Sequence, residues 1–142
     1  MIAKVLDSWA LIAFFEDEPG AAAVEELIHQ ATQEKHRLYL SAVNWAEVYY
    51  NTMREVSQEA AEARVHEIAT LPIDVVGVGD DLKLARLAAQ FKASHKMSLA
   101  DAFAAALAKD KKAELVTGDP EFKALAKEIA IKWLPVKPVA PK

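Results

Sequence analysis

Apolar and polar positions follow two rhythms along this chain. Ile2 to Leu6 is a short apolar run holding one lysine, the pattern of a buried strand. Asp7-Ser8 then opens a helical segment that Pro19-Gly20 ends. Val24, Leu27 and Ile28 mark one face of an amphipathic helix from Ala21 to about Lys35. Arg37 to Leu40 is a second strand. Ser41 is placed to cap a helix reaching about Val56, and Ser57 to cap another through Ala69, with Pro72 beyond its end. Ile73 to Val78, rich in valine and bounded by glycine, predicts a third strand. Leu84, Leu87, Ala88 and Phe91 form the stripe of a helix over Asp80 to His95. Ser98-Leu99-Ala100-Asp101 resembles a capping box with Asp in place of Glu or Gln, and its helix runs to about Lys111. Leu115-Val116 is a fourth strand, Pro120 to Lys127 a short helix, and Ile129 to Leu134 a last strand.

Strands alternating with helices predict an α/β fold with a mostly parallel central sheet. The 142 residues suit one domain, expected over residues 1–134, with no internal repeat. Residues 135–142, "PVKPVAPK", carry proline at every third position and read as an extended tail.

Composition narrows the chemistry. With 53% hydrophobic and 27% charged residues the chain is an ordinary globular protein. Its net charge of −4 is wrong for a protein that coats nucleic acid by bulk charge. Any nucleic-acid role must use local basic patches or metal ions. The chain has no cysteine, which removes disulfides, thiolate metal sites and thiol nucleophiles and fits a reducing cytoplasm. No apolar stretch is long enough to span a bilayer, and Asp7 interrupts the N-terminus before a secretion signal forms.

Ligands of open α/β sheets bind beyond the carboxyl ends of the strands. Asp7 follows the first strand, and Asp119 lies three residues past Val116. Each also suits a helix cap. On the helix from Ser41, a step of about 100° per residue gathers Ala42, Ala46, Tyr49 and Met53 on one face, with Glu47 at its edge. The ordinary role for Glu47 is an edge salt bridge, for instance to Arg54, or plain solvation. Asp101 points away from the stripe of Leu99, Phe103, Ala106 and Leu107 and lies among Ala104, Ala105 and Ala108. A helix with alanine opposite its apolar stripe is packed on both sides, so this carboxylate is expected to be partly buried. Brought together, these carboxylates would repel, and some would protonate unless a cation neutralised them. Oxygen-only ligands point to a hard divalent ion, Mg²⁺ or Mn²⁺, with one or two ions both open. Such ions assist attack of water on phosphodiesters. The basic pairs Lys83 with Arg86 and Lys92 with Lys96 read as solvated helix faces, and His29, His36, His66 and His95 as surface residues without ligand spacing.

"VLDSWAL" (Val5–Leu11), "SAVNWAEV" (Ser41–Val48), "SLADAFAAALA" (Ser98–Ala108) and "LVTGDPEF" (Leu115–Phe122) resemble, in order, the motifs of PIN-domain ribonucleases. The likeness is nearest to the VapC-like toxins of prokaryotic toxin–antitoxin pairs and extends to about Leu134. It implies a three-layer α/β/α domain around a central, mostly parallel sheet of about five strands. By motif position Asp7, Glu47, Asp101 and Asp119 would be the catalytic, metal-binding residues. Ser8, Thr117 and Asn44 would be supporting polar residues, Thr117 by hydrogen bonding a carboxylate or water. Trp9 is larger than the small residue often found at its place and reads as a packing or interface residue. The resemblance further implies metal-dependent hydrolysis of RNA, a homodimer, and a small cognate antitoxin covering the site. Trp45, Tyr49 and Tyr50 read first as core, and second as the lining of a helix-binding groove.

Other readings fit less well. A catalytically inactive PIN-like scaffold would lack a motif acid, and none is missing. A DNA-directed nuclease of the same superfamily has little room here for DNA-gripping elements. A receiver-like domain wants paired acids after the first strand, where only Asp7 stands. A phosphatase with an Asp-x-Asp motif fails at Trp9.

Overall fold

Consecutive residues of a strand face opposite sides of a sheet, and in this protein both sides are covered. The computed structural model describes residues 2–79 and 81–137. Strand β1 (Ile2–Leu6) sends Val5 into one apolar cluster and Leu6 into another. Strand β4 (Glu114–Thr117) divides Leu115 and Val116 in the same way. That division explains why both strands read as apolar runs rather than as alternating patterns.

After β1 come α1 (Ser8–Phe15), α2 (Ala21–Thr32), β2 (His36–Ser41), α3 (Ala42–Glu55) and α4 (Gln58–Thr70). Then follow β3 (Ile73–Val76), α5 (Lys83–Ser94), α6 (Leu99–Lys111), β4, a 3-10 helix (Pro120–Leu125) and β5 (Ile131–Trp133). The five strands lie in the order β3-β2-β1-β4-β5, and every neighbouring pair is parallel. Residues of α5, α6 and the 3-10 helix pack on one face of the sheet. Residues of α1, α2 and α4 pack on the other. The expected three-layer α/β/α architecture with a five-stranded parallel sheet is what forms.

Chain order reverses across β1. Its neighbours are β2 on one side and β4 on the other, so the connections leave β1 and β4 in opposite directions and open a crevice beyond their carboxyl ends. Leu6 pairs with Val116, which sets Asp7 and Thr117 side by side at the mouth of that crevice.

Several local expectations are corrected. The third strand stops at Val76, short of Val78, and α5 begins at Lys83, after Leu82 in the left-handed region (φ 59°). Its expected start at Asp80 lies outside the described residues, as do residues 138–142 of the tail. The segment from Pro120 is a 3-10 helix ending at Leu125. The last strand is confined to Ile131–Trp133. The buried stripe of α3 is Asn44, Val48 and Thr52, whereas Ala46 and Met53 are exposed. The face is turned because Thr52 folds its hydroxyl onto Val48 O (2.8 Å) and receives Arg64 Nη1 (3.1 Å), so a polar residue lies inside. Leu99 is exposed, while every residue from Asp101 to Ala108 is buried, which bears out packing on both sides of α6. Two histidines are not simple surface residues. His36 Nδ1 is buried without a partner, and His95 Nε2 meets Glu128 at 2.6 Å.

Candidate active site

Four segments bring carboxylates to the β1/β4 crevice. Asp7 caps α1, accepting from Ala10 N at 2.8 Å through Oδ1, and is buried. Its second oxygen, Oδ2, accepts from Thr117 Oγ1 at 2.6 Å. The same hydroxyl accepts from Asp119 N at 3.0 Å, so one buried threonine ties the ends of β1 and β4 together. Asp119 in turn caps the 3-10 helix, its Oδ1 accepting from Glu121 N at 3.0 Å, with Pro120 fixing the backbone behind it.

Asp101 enters from the first turn of α6, which Ser98 caps at 3.1 Å. Carboxylate oxygens of Asp101, Asp119 and Glu121 lie within 4.8 Å of one another. Glu121 is a residue that motif reading passes over. Its signal was the second acid of "DPEF", two residues beyond Asp119 at a helix start.

Glu47 reaches the group from α3. Ser8 Oγ donates to its Oε1, and Tyr50 donates to Oε2 across 3.5 Å. The edge salt bridge with Arg54 does not form; the Arg54 guanidinium lies over the Tyr50 ring instead. Asn44, one turn before Glu47, is fully buried and donates through Nδ2 to Ala100 O at 3.3 Å. It thereby joins α3 to the residue preceding Asp101. Its Oδ1 has no hydrogen-bond partner.

The electrostatics follow from this crowding. Burial pushes the Asp7 carboxyl up to about 7, against the opposing bonds from Thr117 and Ala10 and with further repulsion from Asp101 and Asp119. Burial also raises Asp101 to about 6, with Asp119 and Glu47 adding repulsion. A set of oxygen donors, two of them held away from their charged form by burial and mutual repulsion, fits a hard divalent cation. The orphaned amide oxygen of Asn44 beside this set is a further unmet oxygen acceptor.

Trp9 packs over the turn between Thr117 and Asp119. A methyl group on Gly118 would overlap its ring, so glycine there is a matter of space. This supports the packing role for Trp9.

The architecture, the switch-point crevice and the carboxylates agree with the sequence-family comparison, in which residues 4–128 match the PIN domain. The chain belongs to the PIN domain family. No curated protein sequence matches it significantly. Solved PIN-like structures do. VapBC2 from Rickettsia felis, bound to a promoter DNA fragment, superposes with a TM-score of 0.71 at 14% identity, covering 94% of this chain and 100% of that one. A toxin–antitoxin complex from Klebsiella pneumoniae gives 0.66 at 18%, covering 91% and 95%. VapC20 of Mycobacterium tuberculosis, described as a toxin cleaving the sarcin-ricin loop, gives 0.67 at 17%, covering 89% and 96%. At these identities the likeness is one of fold. No helix among the described residues is long and apolar enough to cross a membrane.

Proposed function

We propose that this PIN domain is a metal-dependent endoribonuclease acting as the toxin of a toxin–antitoxin pair. The observation that carries the proposal is the gathering of Asp7, Glu47, Asp101 and Asp119 at the β1/β4 crevice, with Asp7 and Asp101 pushed towards neutrality by burial and crowding. Asp101 and Asp119, joined by Glu121, would hold Mg²⁺ or Mn²⁺, one or two ions, and Asp7, held beside Thr117 at the end of β1, would add a further carboxylate. Bound there, such an ion would lower the pKa of water and offset charge on the phosphodiester oxygens.

The chain's own residues supply the rest. Thr117 fixes the Asp7 carboxylate and the Asp119 backbone in one geometry, so neither must reorganise during the reaction. Ser8 anchors Glu47 by Oε1, and Oε2, met by the Tyr50 hydroxyl only across 3.5 Å, is the oxygen that would take a proton from the attacking water.

RNA as substrate is supported by the VapC20 toxin of the same fold, described as cleaving the sarcin-ricin loop. A small antitoxin partner is supported by the toxin–antitoxin complex among the structural neighbours. A homodimer in the cytoplasm completes the reading. The experiment is RNA cleavage profiling on induction, wild type against Asp119→Asn. New RNA ends that need Mg²⁺ or Mn²⁺ in the purified protein, and vanish in the variant with its fold intact, are the expected result. An unchanged transcriptome under folded, metal-binding wild-type protein would end the nuclease reading.

A further inference from the structure

The PIN site is strongly acidic, and RNA approaching it needs a cation and a surface for its bases. Helix α3 offers both beside Glu47. Of the three aromatics in its middle, Trp45 and Tyr49 stack on each other at 5.9 Å with planes 7° apart, and Tyr49 donates to Glu62 at 2.6 Å. Tyr50 is left open: it is 45% exposed, and its hydroxyl donates to Glu47 Oε2 only across 3.5 Å. Arg54 holds its guanidinium 5.3 Å from the centre of that ring.

Three other basic side chains are engaged. Lys83 pairs with Asp110 at 2.6 Å, Arg64 with Glu16 at 2.8 Å, and Lys92 donates to Met97 O at 2.9 Å. Among the described residues Arg54 has no carboxylate partner. Residues 47, 50 and 54 share one face of the helix at spacings of one and two turns. The track from Glu47 to Arg54 is about 10 Å long, room for the nucleotide next to the reacting phosphate.

We propose that Tyr50 and Arg54 form the contact for single-stranded RNA beside the carboxylates, the exposed ring stacking on a base and the guanidinium taking the adjoining phosphate. This rests on the ribonuclease reading. It adds that the substrate is gripped along α3 by residues outside the metal site.

The test is fluorescence anisotropy of a labelled single-stranded RNA with the full chain carrying Asp119→Asn, which removes cleavage, in EDTA. Tyr50→Ala and Arg54→Ala are each expected to weaken binding about 10-fold. Tyr50→Phe keeps the ring and is expected to stay within about 2-fold. Arg54→Ala should also reduce the slope of log affinity against log salt by about one. If the parent binds RNA and both alanine variants bind equally well, this contact is wrong while the ribonuclease reading stands. If the parent binds no RNA, this contact is wrong, and the ribonuclease reading is decided separately by the cleavage profile. Loss of a dimer in sedimentation with RNA affinity unchanged would overturn the proposal by making this strip an interface between copies.

Discussion

Thr117 Oγ1 donates to Asp7 Oδ2 at 2.6 Å and accepts from Asp119 N at 3.0 Å, so the two strand ends of the PIN crevice share one hydroxyl. Valine has the same shape and neither capacity. Thr117→Val should leave the fold intact, raise Asp7 further by removing a bond that favours its charged form, and weaken Mn²⁺ binding about 10-fold or more. Thr117→Ser should retain most of the affinity. Calorimetric titration with Mn²⁺ measures both. Equal affinities for valine and wild type would show that the hydroxyl only packs.

The raised carboxyls set the pH dependence of the metal-free protein. The Asp7 pKa rises from 3.8 unfolded to about 7 folded, so the folded state binds the extra proton. Its contribution to stability is fully present below the unfolded value and is lost as pH rises through about 7. Asp101 adds the same sign, lost through about 6. Metal-free protein should therefore melt several degrees lower at pH 8 than at pH 5.5. Millimolar Mn²⁺ should reverse the trend, because the ion binds the charged carboxylates. Differential scanning calorimetry with and without EDTA reads this directly, and Asp7→Asn should flatten the metal-free profile.

Much of this was legible in the sequence because the decisive residues are local. Asp7, Ser41, Ser98 and Asp119 each stand at the first turn of a helix, where cap chemistry marks a boundary and aims the side chain. The α3 face was misread because Thr52 and Asn44 are buried through partners on α4 and α6, which helical periodicity cannot see. The Ser8 partner of Glu47 was hidden for the same reason, since residue 8 is distant in sequence and adjacent only after β1 and β2 pair, while Arg54 turns to the Tyr50 ring. Glu121 escaped because its partners, Asp101 and Asp119, meet it only in the folded crevice.

Trp9 covers the Thr117–Asp119 turn closely enough to exclude a side chain at Gly118. Gly118→Ala should destabilise the protein by about 1–3 kcal/mol through overpacking against the ring. Trp9→Leu frees that space, so the double variant should lose less than the sum of the two single losses. Urea unfolding of the four proteins gives the coupling. Additive losses would mean the ring yields readily and does not define the turn.

Asn44 is the sharpest test of whether a buried polar group serves the fold or the site. Its amide makes one long bond to Ala100 O, 3.3 Å, and keeps a buried oxygen without a donor. Such a group adds little to stability, because a modest bond is offset by an unmet acceptor. Asn44→Leu removes both and should change unfolding stability by no more than about 1 kcal/mol. Yet it cuts the tie between the helix of Glu47 and the first turn of α6, so Mn²⁺ affinity should fall several-fold. Asn44→Asp keeps the shape but sets an acceptor against the Ala100 carbonyl and another carboxylate near Asp101. It should cost about 3 kcal/mol or more at neutral pH, and less in acid. Paired urea unfolding and Mn²⁺ titration of the two variants separate the roles: a leucine variant that loses stability but binds Mn²⁺ normally would make Asn44 a packing residue.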